Sequence, residues 1–164
     1  MLNAQYQFKL IEAGCDEVGR GCIAGPVVAA AVILPPEYKN KFIIDSKKIS
    51  QKKRKELGQE IIDNAISWSI SEVSNNKIDE INILNASILA MHRALDKLKV
   101  RPEFIIVDGN KFRPYNKISH ECIIKGDNKF QNIAAASILA KNYRDDLMKK
   151  LSIKYNKYSW ESNF

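Results

Sequence analysis

The sequence predicts an α/β domain, and three observations carry the prediction. Short apolar runs rich in β-formers alternate with longer segments of helical periodicity, glycine and proline cluster between these segments, and no repeat or linker divides the chain. At 164 residues the chain has the length of one domain with a substantial core, so residues 1–164 are expected to form a single unit. Lys and Arg number 26 against 19 Asp and Glu, and the resulting +7 favours a polyanionic partner without specifying one. A hydrophobic content of 45% excludes intrinsic disorder. The longest apolar run, residues 27–34, is far short of the ~18 residues that span a bilayer. Residues 1–10 lack the basic-then-apolar order of a secretory signal, so a cytoplasmic location is expected.

Residues 8–15 and 27–34 read as strands, separated by a turn segment that holds Gly19, Gly21, Gly25 and Pro26. Pro35-Pro36 stops the second strand. Ser50 suits the N-cap of a helix reaching Asn64, with Leu57, Ile61 and Ile62 as its apolar stripe. The Lys52-Lys53-Arg54-Lys55 run in its first turns reads as a solvated face. From Ile66 to Ser71 apolar residues alternate with serines, the period of a half-buried strand, and Trp68 is assigned to the core together with Phe104. Ile81, Leu84, Ile88, Leu95 and Leu98 recur at helical spacing and predict one helix over residues 79–99, closed by Arg101-Pro102. Short strands over residues 104–107 and 121–124 lead into Asp108-Gly109-Asn110 and Lys125-Gly126-Asp127. A last helix, over residues 130–150, opens with Ile133-Ala134-Ala135-Ala136-Ser137, small enough for close packing on a sheet. Cys15, Cys22 and Cys122 lack zinc spacing and cannot all pair, so they read as reduced, mostly buried thiols. His92 reads as a half-buried helix residue, and His120 is given no role.

Three of these strands deliver acids at their carboxyl ends: Asp16 with Glu17, then Asp108, then Asp127. Ligand-binding groups of α/β sheets gather at such ends, so the four carboxylates are placed to converge. Converging carboxylates repel unless a hard divalent cation neutralises them. Mg²⁺ and Mn²⁺ prefer oxygen ligands, and a pair of such ions ~3.5–4 Å apart serves in-line displacement at a phosphodiester. Taken singly, Asp108 and Asp127 are better read as turn residues, and Asp127 also as an N-cap. The fingerprints of phosphate loops and dinucleotide folds are missing, which argues against a nucleotide cofactor and against an actin-like phosphotransferase.

Gly14-Cys15-Asp16-Glu17-Val18-Gly19-Arg20-Gly21, followed by Ala24-Gly25-Pro26-Val27, resembles the signature of the type 2 ribonucleases H, in their bacterial ribonuclease HII branch. Asp45-Ser46-Lys47-Lys48, Val107-Asp108-Gly109, Lys125-Gly126-Asp127, the stretch from Ile133 to Lys141, and Arg144-Asp145 follow in the family's order, so the resemblance covers nearly the whole chain. It implies an RNase H-like fold, a mixed central β-sheet flanked by helices. It also implies an endonuclease that cuts the RNA strand of RNA–DNA hybrids and incises 5′ to single ribonucleotides in duplex DNA, leaving 5′-phosphate and 3′-OH ends. Carried over by position, the family's metal carboxylates fall on Asp16, Glu17, Asp108 and Asp127, for a two-metal Mg²⁺ or Mn²⁺ site with no organic cofactor.

Gly19, Arg20 and Gly21 match the segment that senses the ribose 2′-OH and holds the scissile phosphate. Lys47 and Lys48 match a substrate-facing basic segment, a reading that stands level with simple solubility. Asp145 rivals Asp127 as fourth ligand but lies inside a helix, where it is expected to pair with Arg144. The related ribonuclease HIII is disfavoured because it adds an N-terminal domain, whereas only residues 1–9 are available here. The family's junction-sensing Gly-Tyr turn and the helix after it would follow Phe164, so Tyr155 and Tyr158 do not inherit that role and the C-terminal family segment is expected to be missing. The alternative is a monomeric module that grips RNA–DNA duplexes with little or no turnover. An active monomer remains the principal expectation.

Overall fold

The computed structural model describes residues 1–21, 25–44 and 46–154; Cys22, Asp45, Tyr155 and Tyr158 lie outside the described residues, and of Lys48 only the backbone is described. The fold is organised around Val27–Ile33 (β2), seven residues with no polar side chain, all buried. A strand that apolar must be covered on both faces, and its alternate residues enter two different cores. Ala29, Ala31 and Ile33 pack on one side, Val28, Ala30 and Val32 on the other. Glu12–Val18 (β1) and Ser67–Val73 (β3) flank it antiparallel, while Phe104–Asp108 (β4) and Ser119–Ile123 (β5) continue parallel to β1. The strand order is β3-β2-β1-β4-β5, a mixed sheet as the resemblance implies.

Among the described residues four helices accompany this sheet: Gln51–Asn64 (α1), Asn75–Ile81 (α2), Ile83–Asp96 (α3) and Gln131–Lys154 (α4). Ser50 caps α1 through an Oγ that accepts from Lys53 N. Met91, Ala94 and Leu95 of α3 fill one face, whereas Leu57 and Ile61 of α1 and Ala134 to Ala136 of α4 fill the other. The alanines let α4 lie close to β1, and Gly14 completes the fit. A Cβ at Gly14 would stand 2.3 Å from the backbone carbon of Asn132, so no larger residue fits there. This approach brings the start of α4 against the strand that carries Asp16 and Glu17.

Four expectations need correction. The first strand begins at Glu12, because the buried Glu12 carboxylate accepts from Tyr6 N and Gln7 N and folds the preceding arm back, leaving Phe8 72% exposed. The single helix over 79–99 is two helices, broken at Asn82, whose φ of 65° ends α2 and whose side chain caps α3 by accepting from Asn85 N. In β3 the serines are the buried face: Ser69 Oγ donates to the Ala94 carbonyl at 2.5 Å, and Ser67 Oγ accepts from Lys99 N at 3.0 Å. Trp68 is 38% exposed at the rim of the other face, while Phe104 is in the core as expected. Small serines let α3 approach the sheet, which a tryptophan would prevent. Finally, Arg54 does not share the exposure of the lysines around it and is buried between α1 and α4.

Candidate active site

Asp16 and Glu17 lie within β1 and not at its end, since the strand runs on to Val18. The β1–β4 register pairs Cys15 with Val107 and thus sets Asp16 and Asp108 one step further along two parallel neighbours. The third contribution comes after β5, where Lys125 takes a left-handed φ of 56° and starts a 3-10 turn over Gly126–Asn128. Gly126 N donates to Asp108 Oδ1 at 2.7 Å, which locks this turn onto the end of β4 and brings Asp127 beside Asp108. A Cβ at Gly126 would meet Ile133 Cδ1 at 2.5 Å, so a larger residue there would have to displace the end of that side chain.

The four carboxylates line one cleft of about 520 Å³, together with Gly19, Arg20, Gly21 and Lys47. Asp16 is 5% exposed and Asp127 8%. Burial raises the Asp16 carboxyl well above the usual range, and Glu17 and Asp108 add to this by like-charge repulsion. Burial likewise raises Glu17, opposed by the Arg20 guanidinium, which donates to Glu17 Oε1 at 3.1 Å. Asp108 is raised by burial and by Asp127, opposed by the Gly126 N–H. With Asp127 beside them, these three carboxylates form an all-oxygen donor set, which fits a hard divalent cation. Among the described residues no three acidic, His or Cys groups already form a closed metal cage.

The loop that follows Glu17 is shaped from beneath by Arg144, a fully buried side chain whose Nε donates to the Pro26 carbonyl at 3.3 Å. A Cβ at Gly19, where φ is 103°, would stand 2.7 Å from that Nε, so this glycine is demanded by the fold. At Gly21 a Cβ would meet nothing within 4 Å among the described residues. Arg144 does not pair with Asp145 as expected, because neighbouring positions on a helix point in different directions. Asp145 instead binds Arg54, and its Oδ1 lies 2.7 Å from Lys141 Nζ.

Sequence reasoning missed four residues on or behind the cleft wall: Ser46, Ser137, Lys141 and Arg54. A signal existed for Arg54, the lone arginine in a run of lysines and so the one side chain suited to a buried forked contact. Ser137 likewise stands out as the polar residue that ends an alanine run. Lys47 is exposed on the cleft wall.

The family model described as ribonuclease HII matches residues 13–164. The ribonuclease HII of Christiangramia forsetii is 59% identical over 99% of this chain and 82% of its own length. The crystal structure of ribonuclease H2 from Pyrococcus horikoshii superposes with a TM-score of 0.80 at 27% identity, covering 90% of this chain and 78% of that one. Bst-RNase HIII, solved in complex with Mn²⁺, shares the fold at a TM-score of 0.74 and 24% identity, covering 88% of this chain and 55% of that one. With an RNase H-type sheet, four acids on one cleft, and this similarity along almost its entire length, the chain belongs to the ribonuclease HII family and is an endoribonuclease, a hydrolase.

Proposed function

We propose that this protein is a divalent-cation-dependent endonuclease that cleaves the RNA strand of RNA–DNA hybrids and incises 5′ to single ribonucleotides embedded in duplex DNA. The observation that carries this reading is the meeting of Asp16, Glu17, Asp108 and Asp127 on one cleft with Gly19, Arg20 and Gly21. Asp16 and Asp108, nearest neighbours on parallel strands, are the best placed to serve both of two Mg²⁺ or Mn²⁺ ions, with Glu17 and Asp127 completing the two sets. When bound, the cations supply activation of water and stabilisation of the leaving 3′-oxygen, which gives 5′-phosphate and 3′-OH ends.

The protein's own groups then have distinct tasks. Among the described residues nothing crowds a Cβ at Gly21, so the absence of a side chain there suits close approach of a ribose 2′-OH. Arg20 is half-exposed beside Glu17 and can transfer its forked donors from that carboxylate to a phosphate. Lys47, with Lys48 next to it, supplies positive charge to the strand backbone. The protein acts as a single catalytic domain and a monomer, in the cytoplasm; no described helix is long and apolar enough to cross a membrane.

The test is incision of a labelled DNA duplex with one ribonucleotide, beside a full RNA–DNA hybrid, with Mg²⁺ or Mn²⁺ and with Asp16→Asn as control. Cation-dependent cutting 5′ to the ribonucleotide, lost in the variant, supports the reading. Binding of both substrates without cutting would replace it with the duplex-gripping alternative.

A further inference from the structure

We propose that Asn3 and Tyr6, in the arm before β1, are positioning residues for Asp127: by pinning the turn that carries it, the arm raises the affinity of the cleft for a divalent cation. The inference rests on the reading of Asp127 as a cation ligand. Asn3 lies alongside Phe130 as an isolated parallel β-bridge. Its N–H donates to the Lys129 carbonyl at 2.8 Å, and its own carbonyl accepts from Gln131 N at 2.9 Å. Gln131 opens α4, so its N–H has no partner within the helix, and Asn3 supplies one from outside. The Leu2 carbonyl adds a contact from Gln131 Nε2 at 3.4 Å. Tyr6 then covers the join. Its ring stacks on Phe104 of β4, with centroids 5.9 Å apart, and meets Phe130 edge-on at 5.7 Å. The buried Glu12 carboxylate, bound to Tyr6 N and Gln7 N, fixes where the arm rejoins the sheet.

These contacts end two and three positions after Asp127, and the segment between is one unit. Lys129 N and Phe130 N both donate to the Gly126 carbonyl at 2.9 Å, and Asn128 N donates to the Lys125 carbonyl at 3.1 Å. A shift at Lys129 is therefore passed to Asp127. On its other side the turn is held by the bond from Gly126 N to Asp108 Oδ1. That bond ends on an acid of the cleft, and a cation drawing on Asp108 competes with the Gly126 N–H for the same carboxylate. The bonds from Asn3 end on backbone atoms that no acid of the cleft shares, so this anchor holds when the cleft is loaded.

The test is calorimetric titration of the chelator-stripped protein with Mn²⁺ for the parent, Asn3→Pro, Tyr6→Ala and Phe8→Ala, with a melting curve for each. Asn3→Pro removes the N–H that binds Lys129 and should weaken Mn²⁺ binding about fivefold, through the smaller fraction of molecules with a seated turn. Tyr6→Ala should weaken it about threefold. Phe8, 72% exposed, belongs to the same arm but to none of these contacts, and Phe8→Ala should bind as the parent does. At saturating Mn²⁺ the variants should recover the parent kcat on a hybrid, since the loss lies in cation affinity. Coupling is reciprocal, so Mn²⁺ should also slow amide hydrogen exchange of residues 2–7 in the parent, read by mass spectrometry. Lower melting temperatures with parent-like Mn²⁺ affinity in Asn3→Pro and Tyr6→Ala would make the arm merely structural and overturn the inference. Should either variant fail to fold, the exchange measurement on the parent decides, and no slowing in the arm overturns it. A parent that takes up no Mn²⁺ refutes instead the functional reading beneath it.

Discussion

Replacing Asp145 by alanine removes the anion shared by two cations, and its effect can be scaled against a matched pair one residue away. In the Arg54–Asp145 pair the side chains are 8% and 3% exposed, and Lys141, the second partner of Asp145, is 20% exposed. Water cannot take over the role of that carboxylate, so Asp145→Ala strands the buried guanidinium and should destabilise the protein by about 3–5 kcal/mol. For a chain of 164 residues, at ~2–4 °C per kcal/mol, the melting temperature should fall by roughly 6–20 °C. Lys55–Asp146 joins the same two helices at 2.8 Å, but its side chains are 49% and 47% exposed. Solvent screens that pair, so Asp146→Ala should cost no more than ~1 kcal/mol. Urea denaturation of both variants, with Arg54→Met/Asp145→Leu as a third, measures the contrast. The apolar double variant should recover most of the loss, because the penalty is a stranded charge and not missing attraction. Equal losses in the two alanine variants would refute the argument from burial.

Gly19→Ala and Gly21→Ala should separate the demands of the fold from those of the substrate. The first places a methyl 2.7 Å from Arg144 Nε at a φ of 103° and should lower the melting temperature; the second meets no atom of the described residues within 4 Å and should leave melting unchanged while hybrid cleavage falls at least about tenfold. Asp16→Asn should show a pH-dependent gain in stability in the presence of chelator. The folded pKa of Asp16 is raised by burial and by Glu17 and Asp108. The folded chain therefore holds a proton more firmly than the unfolded one, and the parent's stability is full below the unfolded pKa and lost as pH rises through the folded pKa. The melting-temperature difference between variant and parent should accordingly grow as pH rises above the ordinary carboxylate range and reverse when saturating Mn²⁺ stabilises the parent; a difference independent of pH would contradict it. Trp68→Ala should cost less than Ile106→Ala, despite removing more atoms, since Trp68 is 38% exposed and Ile106 is fully buried; thermal melts compare them, and the reverse order would restore Trp68 to the core.

The four acids on the cleft were legible in the sequence because each sits in a strand or in the turn just after one, and strands announce themselves by composition. Val27–Ile33 could hardly be anything but a doubly covered strand, and the glycines around Asp16, Asp108 and Asp127 mark where the chain must turn. What the pattern could not give was orientation. The alternation in β3 is unmistakable, yet period two alone does not say which face is buried, and hydrophobicity chose the tryptophan where α3 demanded the serines. The break at Asn82 escaped because apolar residues keep helical spacing on both sides of it; only a left-handed φ at asparagine interrupts the backbone. Around the cleft, Ser46 meets Ser137 and Arg54 meets Asp145 across 91 positions each, so these contacts depend on packing that no local pattern encodes. Asp145 illustrates the converse: its place inside a helix already set it apart from the strand-end acids, and the geometry supplies the reason in Arg54 and Lys141.

The most direct test of the central claim, that four carboxylates on one cleft hold the cations that drive cleavage, is the cleavage rate of a labelled RNA–DNA hybrid at saturating Mg²⁺ or Mn²⁺. The rate is measured for Asp16→Asn, Glu17→Gln, Asp108→Asn and Asp127→Asn, with Asp146→Asn as the exposed-carboxylate control. The account predicts a loss of about 10²–10³-fold or more in each of the four, on the scale of removing a group that stabilises developing charge, and a parent-like rate in the control. Full activity in any one of the four would contradict it.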